Sequence, residues 1–263
     1  MQLGIIGRYD RESFEKAKAR NLAFLEFDIN DHVEDFVSKA DETLALSRET
    51  GVGVGAVGRW GGNRCQEDGT LSQQELDWSF QLIETAARLG SPVFITGINY
   101  VQEKSYYQNI TTAIDYFQRC LAYGKKYGVR VCAYNCDWNN FIYSDPNWEL
   151  VLGELPELGI KYDPTHCIAR RGDYLAEAAK WAKRFYHVHI KGSVMIGDPA
   201  HNGFYDNPPA GMDQINWGAF MSILYANNYG GNLSIEPHSG NWLGERGEKG
   251  VDFTVQFIKQ LLF

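Results

Sequence analysis

Ile160-Lys161-Tyr162-Asp163-Pro164-Thr165-His166 is the stretch that decides the predicted fold and site. It has the composition of a β-strand that ends on an acid, turns at a proline and presents an imidazole three residues after the acid. Two later stretches have the same design, a short apolar run with a histidine or an acid at its end: His187-Val188-His189-Ile190-Lys191 and Leu233-Ser234-Ile235-Glu236. A carboxylate, an imidazole and a second carboxylate from three strand ends indicate a divalent-metal site.

Strand-like and helix-like segments alternate along the whole chain. Eight such pairs follow one another, which is the pattern of parallel βα units. No linker or break in composition divides residues 1–263, and about 250 residues is a usual length for one α/β barrel. We therefore predict one domain with a closed (β/α)8 fold, a TIM barrel, whose C-terminal strand ends form the active site. The predicted strands cover residues 3–7, 22–28, 51–57, 92–96, 129–135, a short run at Ile160, 185–190 and 232–236.

The amino-acid composition indicates the cellular compartment and excludes some classes of binding partner. With 25 basic and 33 acidic residues the formal charge is −8, which argues against nucleic acid or an anionic membrane as a partner. The five cysteines form no CxxC pair, so neither a disulfide framework nor a zinc finger is indicated. No secretory leader and no apolar run of about 18 residues is recognised. We expect a soluble cytoplasmic protein that acts on a small, neutral or weakly charged substrate.

Strand parity places the candidate ligands inside the barrel. Successive residues of a strand point to opposite faces, so Glu236 points inward when Ile235 points outward. An inward pair of carboxylates without a counter-charge is costly, and a divalent cation removes that cost. The alternative is a structural network of salt bridges and hydrogen bonds at the barrel mouth. The residues of the last three strands that share the predicted inward faces are Lys161, Asp163, His187, His189, Lys191 and Glu236.

These motifs resemble those of the xylose isomerase-like TIM barrels of the sugar isomerase and epimerase group, also called the AP endonuclease family 2 group. That family has an Asp on strand six with a His three residues later, a His-x-His-x-Lys on strand seven and a Glu on strand eight. Here they are Asp163 with His166, residues 187–191, and Glu236. The match covers the C-terminal half, while the first half matches only in its βα rhythm.

The resemblance implies a divalent metal, usually manganese, bound by Asp163, His189 and Glu236, with zinc, cobalt and magnesium as the other candidates. It also implies that His166 hydrogen-bonds a substrate oxygen, and that the reaction is proton abstraction beside a carbonyl through an enediolate. A metal would stabilise the negative charge that develops on the carbonyl oxygen. Glu236 would then serve as metal ligand and general base together.

The chain departs from the family on strand five. There the family supplies a fourth ligand, a Glu that is one of two proton-transfer carboxylates in the ketose 3-epimerases, and this position falls on Tyr134 or Asn135. The amide oxygen of Asn135 could complete the metal shell as a weaker, neutral ligand, and Asp137 could reach in from the loop. Glu26, inward on strand two, could replace the missing base. Alternatively, Glu26 is a buried acid paired with an Arg or Lys of a neighbouring strand.

Four further residues are candidate substrate contacts. Lys191 and Arg59 are rim cations that could hold a carboxylate, a phosphate or a hydroxyl. Trp138 follows a strand end and could stack on the C–H face of a sugar ring. His187 is either a substrate contact or a buried core histidine. The stretch 192–214 has no clear periodicity and is expected to lie as a loop over the pocket.

With this resemblance, the favoured function is a divalent-metal-dependent isomerase or epimerase of an aldose, a ketose or a sugar derivative. An unphosphorylated substrate is favoured because no Gly-rich phosphate cradle stands out. The alternatives are a related metal-dependent lyase or dehydratase, which the missing strand-five Glu favours, and a non-catalytic sugar-binding barrel. A nuclease of the endonuclease IV type is disfavoured because His32 is the one histidine before His166 and the chain is acidic. The aromatic content of 14% leaves room for a homo-oligomer.

Overall fold

Eight parallel strands close into a barrel in the computed structural model, which describes residues 1–197 and 204–263. Each barrel strand pairs with the next one along the chain, and the last returns to the first, where Asn232 is the register partner of Gln2. The predicted (β/α)8 barrel is thus confirmed. In chain order the strands are β1 (Gln2–Ile6), β2 (Phe24–Asp28), β3 (Gly53–Gly58), β4 (Val93–Thr96), β5 (Arg130–Tyr134), β6 (Gly159–Tyr162), β7 (Phe185–Ile190), β8 (Val194–Ile196), β9 (Phe204–Asp206) and β10 (Asn232–Ile235), of which β8 and β9 lie outside the barrel.

Helices connect the barrel strands and pack against their outer faces, as apolar residues of alternate strand positions require. No helix in the described ranges is both long and apolar enough to cross a membrane. The helices are α1 (Arg11–Ala19), α2 (Val33–Ser38), α3 (Ala40–Thr50), α4 (Gln73–Arg88), α5 (Tyr106–Tyr127), α6 (Asn147–Glu154), α7 (Pro164–Ala169), α8 (Tyr174–Trp181), α9 (Trp217–Ala226) and α10 (Gly244–Lys259), with a 3-10 helix at Ala182–Arg184.

The described parts of the stretch 192–214 contain two strands that the sequence did not predict. Strands β8 and β9 pair antiparallel as a two-stranded sheet, and the Asn207 amide donates a hydrogen bond of 2.8 Å to the carbonyl of Gly192. Each strand has only three residues, too few to show a period in the sequence. The part of this stretch that contains Asp198-Pro199 lies outside the described residues.

The barrel interior is divided into an apolar and a polar side. On the side of β3, β4 and β5 the interior is filled by a small apolar cluster, while the buried charged groups lie on β2, β6 and β7 and at the end of β10. This division places the polar chemistry on one half of the barrel mouth. The apolar cluster consists of Ala56, Trp60, Val93, Ile95, Cys132 and Tyr134.

Phe24 fills the lower end of the barrel, and two glycines make room for its ring. A Cβ atom added at Gly4 would lie 2.4 Å from Phe24 Cδ2, and one added at Gly55 would lie 2.2 Å from the same atom. Real side chains do not approach so closely, and Phe24 is itself 2% exposed and cannot move aside freely. These glycines are therefore required by packing rather than by backbone conformation.

Gly55→Ala is expected to destabilise the protein by roughly 1–3 kcal/mol, because the added methyl overpacks a rigid interior. Gly153→Ala is the matched control, since Gly153 lies in α6 and has nothing within 4 Å of an added Cβ. The control should be neutral or more stable by up to about 1 kcal/mol, the difference in helix propensity. Urea unfolding of both variants measures the two free energies. Equal stability of Gly55→Ala and the wild type would contradict the packing described for Phe24.

Candidate metal and substrate site

The acid of the strand-six stretch is fixed by the helix that follows it. Asp163 is the N-cap of α7, and its Oδ1 accepts hydrogen bonds from the backbone N–H (2.9 Å) and the hydroxyl (2.7 Å) of Thr165. Pro164 is tolerated in the first turn because no N–H is needed there. The cap holds the carboxylate in place and leaves its second oxygen, Oδ2, for groups on the neighbouring strands.

Asp163, His189 and Glu236, the predicted metal ligands, come together at one point. Their donor atoms all lie within 4.8 Å of one another, and Nδ1 of His189 is 2.9 Å from Oε2 of Glu236 and 3.9 Å from Oδ2 of Asp163. That Oδ2 is fully buried and forms an ion pair of 2.9 Å with the ammonium of Lys191. Two carboxylates and an imidazole suit a divalent cation, so these residues fit a metal.

The ammonium of Lys191 lies between the two carboxylates. Its Nζ is 2.9 Å from Oδ2 of Asp163 and 2.9 Å from Oε2 of Glu236, as an ion pair with each. Burial alone would raise the pKa of both carboxyl groups, but Lys191 together with the neighbouring histidine and lysine side chains outweighs it and holds both pKa values well below the usual range. Both acids are therefore ionised at neutral pH. A metal bound to these oxygens would compete with Lys191 for them.

A deeper layer of charged groups lies beneath His189. Oε2 of the fully buried Glu26 is 2.7 Å from Nε2 of His187, and its Oε1 is 3.0 Å from Nε2 of His189. Burial alone would lower the pKa of His189, but the Glu26 carboxylate raises it to about 9. The contact at Nε2 also orients the ring so that Nδ1 faces Asp163 and Glu236. Binding of a metal at Nδ1 would therefore release a proton.

Glu26 and His187 lie beneath the cavity, so of the two interpretations given for each the buried one is correct and the substrate-contacting one is wrong. Both side chains are 0% exposed and neither lines the cavity above them. The structure therefore does not bring Glu26 to the substrate as a base, nor His187 as a substrate contact. Glu26 is a buried, paired acid, as the alternative interpretation expected, except that its partners are histidines instead of Arg or Lys.

Asn135 is not available as the fourth metal ligand. Its Oδ1 accepts a hydrogen bond of 2.9 Å from the backbone N–H of Asp163, and its Nδ2 donates one of 2.8 Å to the carbonyl of Asp163. Both ends of the amide are used to join β5 to the end of β6. The predicted ligand is thus corrected to a residue that positions Asp163. Asp137 is exposed and does not line the cavity either.

Arg59 is also corrected. Its guanidinium forms a two-pronged ion pair with Glu75 on α4, at 2.9 and 2.7 Å, and donates to the carbonyl of Asn30 at 2.7 Å. The side chain is 3% exposed. Arg59 ties the loop after β3 to the following helix, and its charge is already matched by Glu75, so it is not a rim cation for substrate.

A cavity of about 350 Å³ opens above the ligand cluster at the C-terminal ends of the strands. Sites for small molecules begin at about this size. Tyr134, buried on β5, supports its aromatic wall by stacking on Trp60 at 5.5 Å and by donating a hydrogen bond of 2.9 Å to the carbonyl of Trp138. The cavity is lined by Asp28, Asn30, Trp60, Cys136, Trp138, Lys161, His166, His189, Lys191, Glu236 and His238.

His166 and Trp138 lie where the sequence predicted them, on the cavity wall. Nε2 of His166 is 3.5 Å from Oδ2 of Asp163, and burial lowers the pKa of this histidine to about 3. The ring is therefore neutral at physiological pH and can hydrogen-bond a substrate oxygen. Trp138 is 56% exposed and offers an open aromatic face to the cavity.

Asp28 and Lys161 line the cavity although neither is in the predicted site. Asp28 has an exposed side chain at the mouth of the barrel, and loss of hydration among the surrounding groups together with the charges of Glu26 and Glu236 raises its pKa to about 8. The sequence feature that could have identified both residues as cavity-lining is strand parity. Asp28 shares the inward face of Glu26, and Lys161 shares that of Asp163.

Solved structures of other proteins have the same fold at low sequence identity. The 3-keto-D-glucoside 4-epimerase from E. coli has a TM-score of 0.77 at 15% identity, with 99% of each chain covered. The D-psicose 3-epimerase from Clostridium cellulolyticum H10 has a TM-score of 0.78 at 12% identity, with 100% of this chain and 99% of that chain covered. A probable 3-DHS dehydratase from Bacillus anthracis has a TM-score of 0.75 at 12% identity, with 98% and 99% covered.

No curated protein matches the chain in sequence. A family model does: the xylose isomerase-like TIM barrel matches residues 14–261, nearly the whole chain. The closed barrel and the ligand cluster at its C-terminal strand ends agree with this match. The chain therefore belongs to the xylose isomerase-like TIM barrel family.

Proposed function

We propose that the protein is a divalent-metal-dependent carbohydrate isomerase or epimerase that transfers a proton next to a carbonyl. The observation that carries the proposal is the convergence of Asp163, His189 and Glu236, whose ligand atoms lie within 4.8 Å of one another, at the floor of a cavity of about 350 Å³. The epimerases among the structural neighbours support the same class of substrate.

The metal would be held by Asp163, His189 and Glu236, and manganese is the ion we expect. When bound, it would supply Lewis-acid polarisation of the substrate carbonyl and stabilise negative charge on its oxygen. The neutral ring of His166 would hydrogen-bond a second substrate oxygen. The exposed ring of Trp138 would cover the C–H face of the sugar and exclude water.

Glu236 is the residue we propose as the general base. It is ionised, it is 17% exposed on the side of the cavity, and its Oε2 is already held by His189 and Lys191. Within residues 1–197 and 204–263, the recorded charged contact of its other oxygen, Oε1, is with His238 at 3.4 Å. That oxygen is the atom at which a substrate proton would be accepted.

A dehydratase is the second candidate, and Asp28 is the observation that favours it. The position of the second proton-transfer acid of an epimerase falls on Tyr134 or Asn135, while Asp28 lines the cavity with its pKa raised to about 8. Such a group can donate a proton to a departing hydroxyl. Mass analysis of the product separates the two, because isomerisation conserves mass and dehydration loses one water.

Metal binding tests the proposal directly. We expect the purified wild type to bind close to one Mn²⁺ per chain, and Asp163→Asn to bind it at least 10-fold more weakly, since even groups behind the ligands contribute 10–100-fold. Glu245→Gln is the control, because this α10 glutamate is exposed and forms a surface ion pair with Lys249. Calorimetric titration with Mn²⁺ gives the affinities. A wild type that takes up no divalent ion would refute the metal-enzyme proposal.

A further inference from the structure

Lys161 is a buried cation, and among the described residues no carboxylate lies within hydrogen-bond distance of its ammonium. The side chain is 1% exposed and lines the cavity. Among the described residues, its nearest carboxylate oxygen is Oδ2 of Asp163 at 4.0 Å, beyond hydrogen-bond distance, whereas Lys191 is 2.9 Å from that same oxygen. The other neighbour of Nζ is the ring of Trp60, whose centre is 5.9 Å away. Lys161 thus differs from Lys191, which contacts two carboxylates.

A buried ammonium in this position is energetically unfavourable unless another group pairs with its charge. Removing a charged group from water costs several kcal/mol, which a well-placed partner must offset. Among the described residues, Glu26 pairs with His189, and Asp163 and Glu236 pair with Lys191, while Asp28 lines the same cavity but forms no ion pair with Lys161. A metal shared by Asp163 and Glu236 would draw these oxygens further from Lys161. We therefore expect the ammonium of Lys161 to pair with a negatively charged group of a molecule that binds in the cavity.

We propose that Lys161 binds a carboxylate of the substrate, so that the substrate is a sugar acid, such as a uronate or a keto-aldonate, instead of a neutral sugar. This inference rests on the proposed function. The cavity wall described here offers one unpaired ammonium beside the indole of Trp60, which matches the single charge of a carboxylate. A phosphate ester carries nearly two charges at pH 7 and is better served by several donors.

The test compares acids with neutral sugars of matched shape. The probes are D-glucuronate with D-glucose, D-galacturonate with D-galactose, and 2-keto-D-gluconate with D-fructose, titrated against the Mn²⁺-loaded protein by calorimetry or by the fluorescence of the cavity tryptophans. The wild type should bind the acid of at least one pair roughly 10-fold or more tightly, as expected for a hydrogen bond between charged groups. Lys161→Met should abolish that preference. Lys180→Met, at an exposed lysine that pairs with Asp145 and Glu149, should retain it.

Several outcomes would overturn the inference. These are a wild type that binds every neutral sugar at least as tightly as its acid, a Lys161→Met variant that keeps the preference, or tighter binding of D-glucose 6-phosphate than of D-glucuronate. If Lys161→Met does not fold, the acid-to-neutral ratio of the wild type decides the question alone. The proposed function fails separately, by absence of Mn²⁺ binding, and it survives if a neutral sugar is preferred and turned over. Binding of neither class to the Mn²⁺-loaded protein would count against both.

Discussion

Glu236→Gln is expected to slow proton transfer on the substrate by roughly 10²–10⁴-fold, the usual contribution of a positioned general base. The amide has nearly the shape of the carboxylate but cannot accept a proton from carbon. The measurement is deuterium uptake from D₂O into the carbohydrate that the wild type turns over. It is made at Mn²⁺ concentrations that restore metal occupancy in the variant, so that loss of the base is separated from loss of a ligand.

The control for this experiment is again Glu245→Gln, which should keep the wild-type rate because Glu245 is exposed and lies outside the cavity. The position of Glu236 supports the prediction: Oε2 is fixed by Lys191 and His189, while Oε1 remains open to the cavity. A variant that regains the wild-type rate once metal is saturating would show that Glu236 is a ligand only. The general base would then be another residue of the cavity wall. Asp28 would be the first candidate, because it also carries a carboxyl group.

Strand order and parity explain why much of this site was predictable. The alternation of strands and helices predicts the barrel, and the barrel fixes which strand ends share one rim. Parity then predicts that Asp163, His189 and Glu236 face inward. These rules use only local sequence and the closure of the sheet, so they do not depend on which side chains finally pair.

The mispredicted site residues differ from expectation in their height within the barrel and in the groups with which they pair. Strand parity determines neither. Glu26 and Asp28 share one face, but only Asp28 reaches the cavity, and the pairing of β2 with β3 shifts its register between Leu25 and Glu26. Such a shift changes the height of a side chain in the barrel and has no signal in the sequence. The sequence likewise does not show that Arg59 meets Glu75 on α4, or that Asn135 is used by the backbone of Asp163.

The second large effect expected is on stability. Glu26→Gln should cost about 3–5 kcal/mol in the metal-free protein near pH 6, the usual result of breaking a buried ion pair by removing one partner. Glu26 is 0% exposed and contacts both His187 and His189. Its loss leaves the His189 imidazolium without the carboxylate that lies 3.0 Å from Nε2. Urea unfolding in the presence of EDTA gives the free energy of unfolding for both proteins.

The pH dependence of this loss identifies its cause. The pKa of His189 is raised from 6.5 to about 9 in the folded protein, so the stabilisation from its charge is full below pH 6.5 and is lost as the pH rises through 9. Although burial would raise it, the pKa of Glu26 is held well below 4.5 by His187 and His189. The stabilisation from Glu26 is therefore present above pH 4.5 and is lost as the pH falls through its folded-state pKa. The difference between wild type and Glu26→Gln should be greatest between about pH 5 and 6.5 and should shrink towards pH 10.

Glu15→Gln is the matched control for this series. Glu15 is an exposed acid on α1, 3.7 Å from Arg11, and such surface pairs contribute at most about 1 kcal/mol. Its replacement should change stability little at any of these pH values. If Glu26→Gln lost the same free energy at pH 6 and pH 10, the loss would come from packing and hydrogen bonding. The Glu26 carboxylate would then not be what keeps His189 protonated, and metal binding at Nδ1 would have no proton to displace.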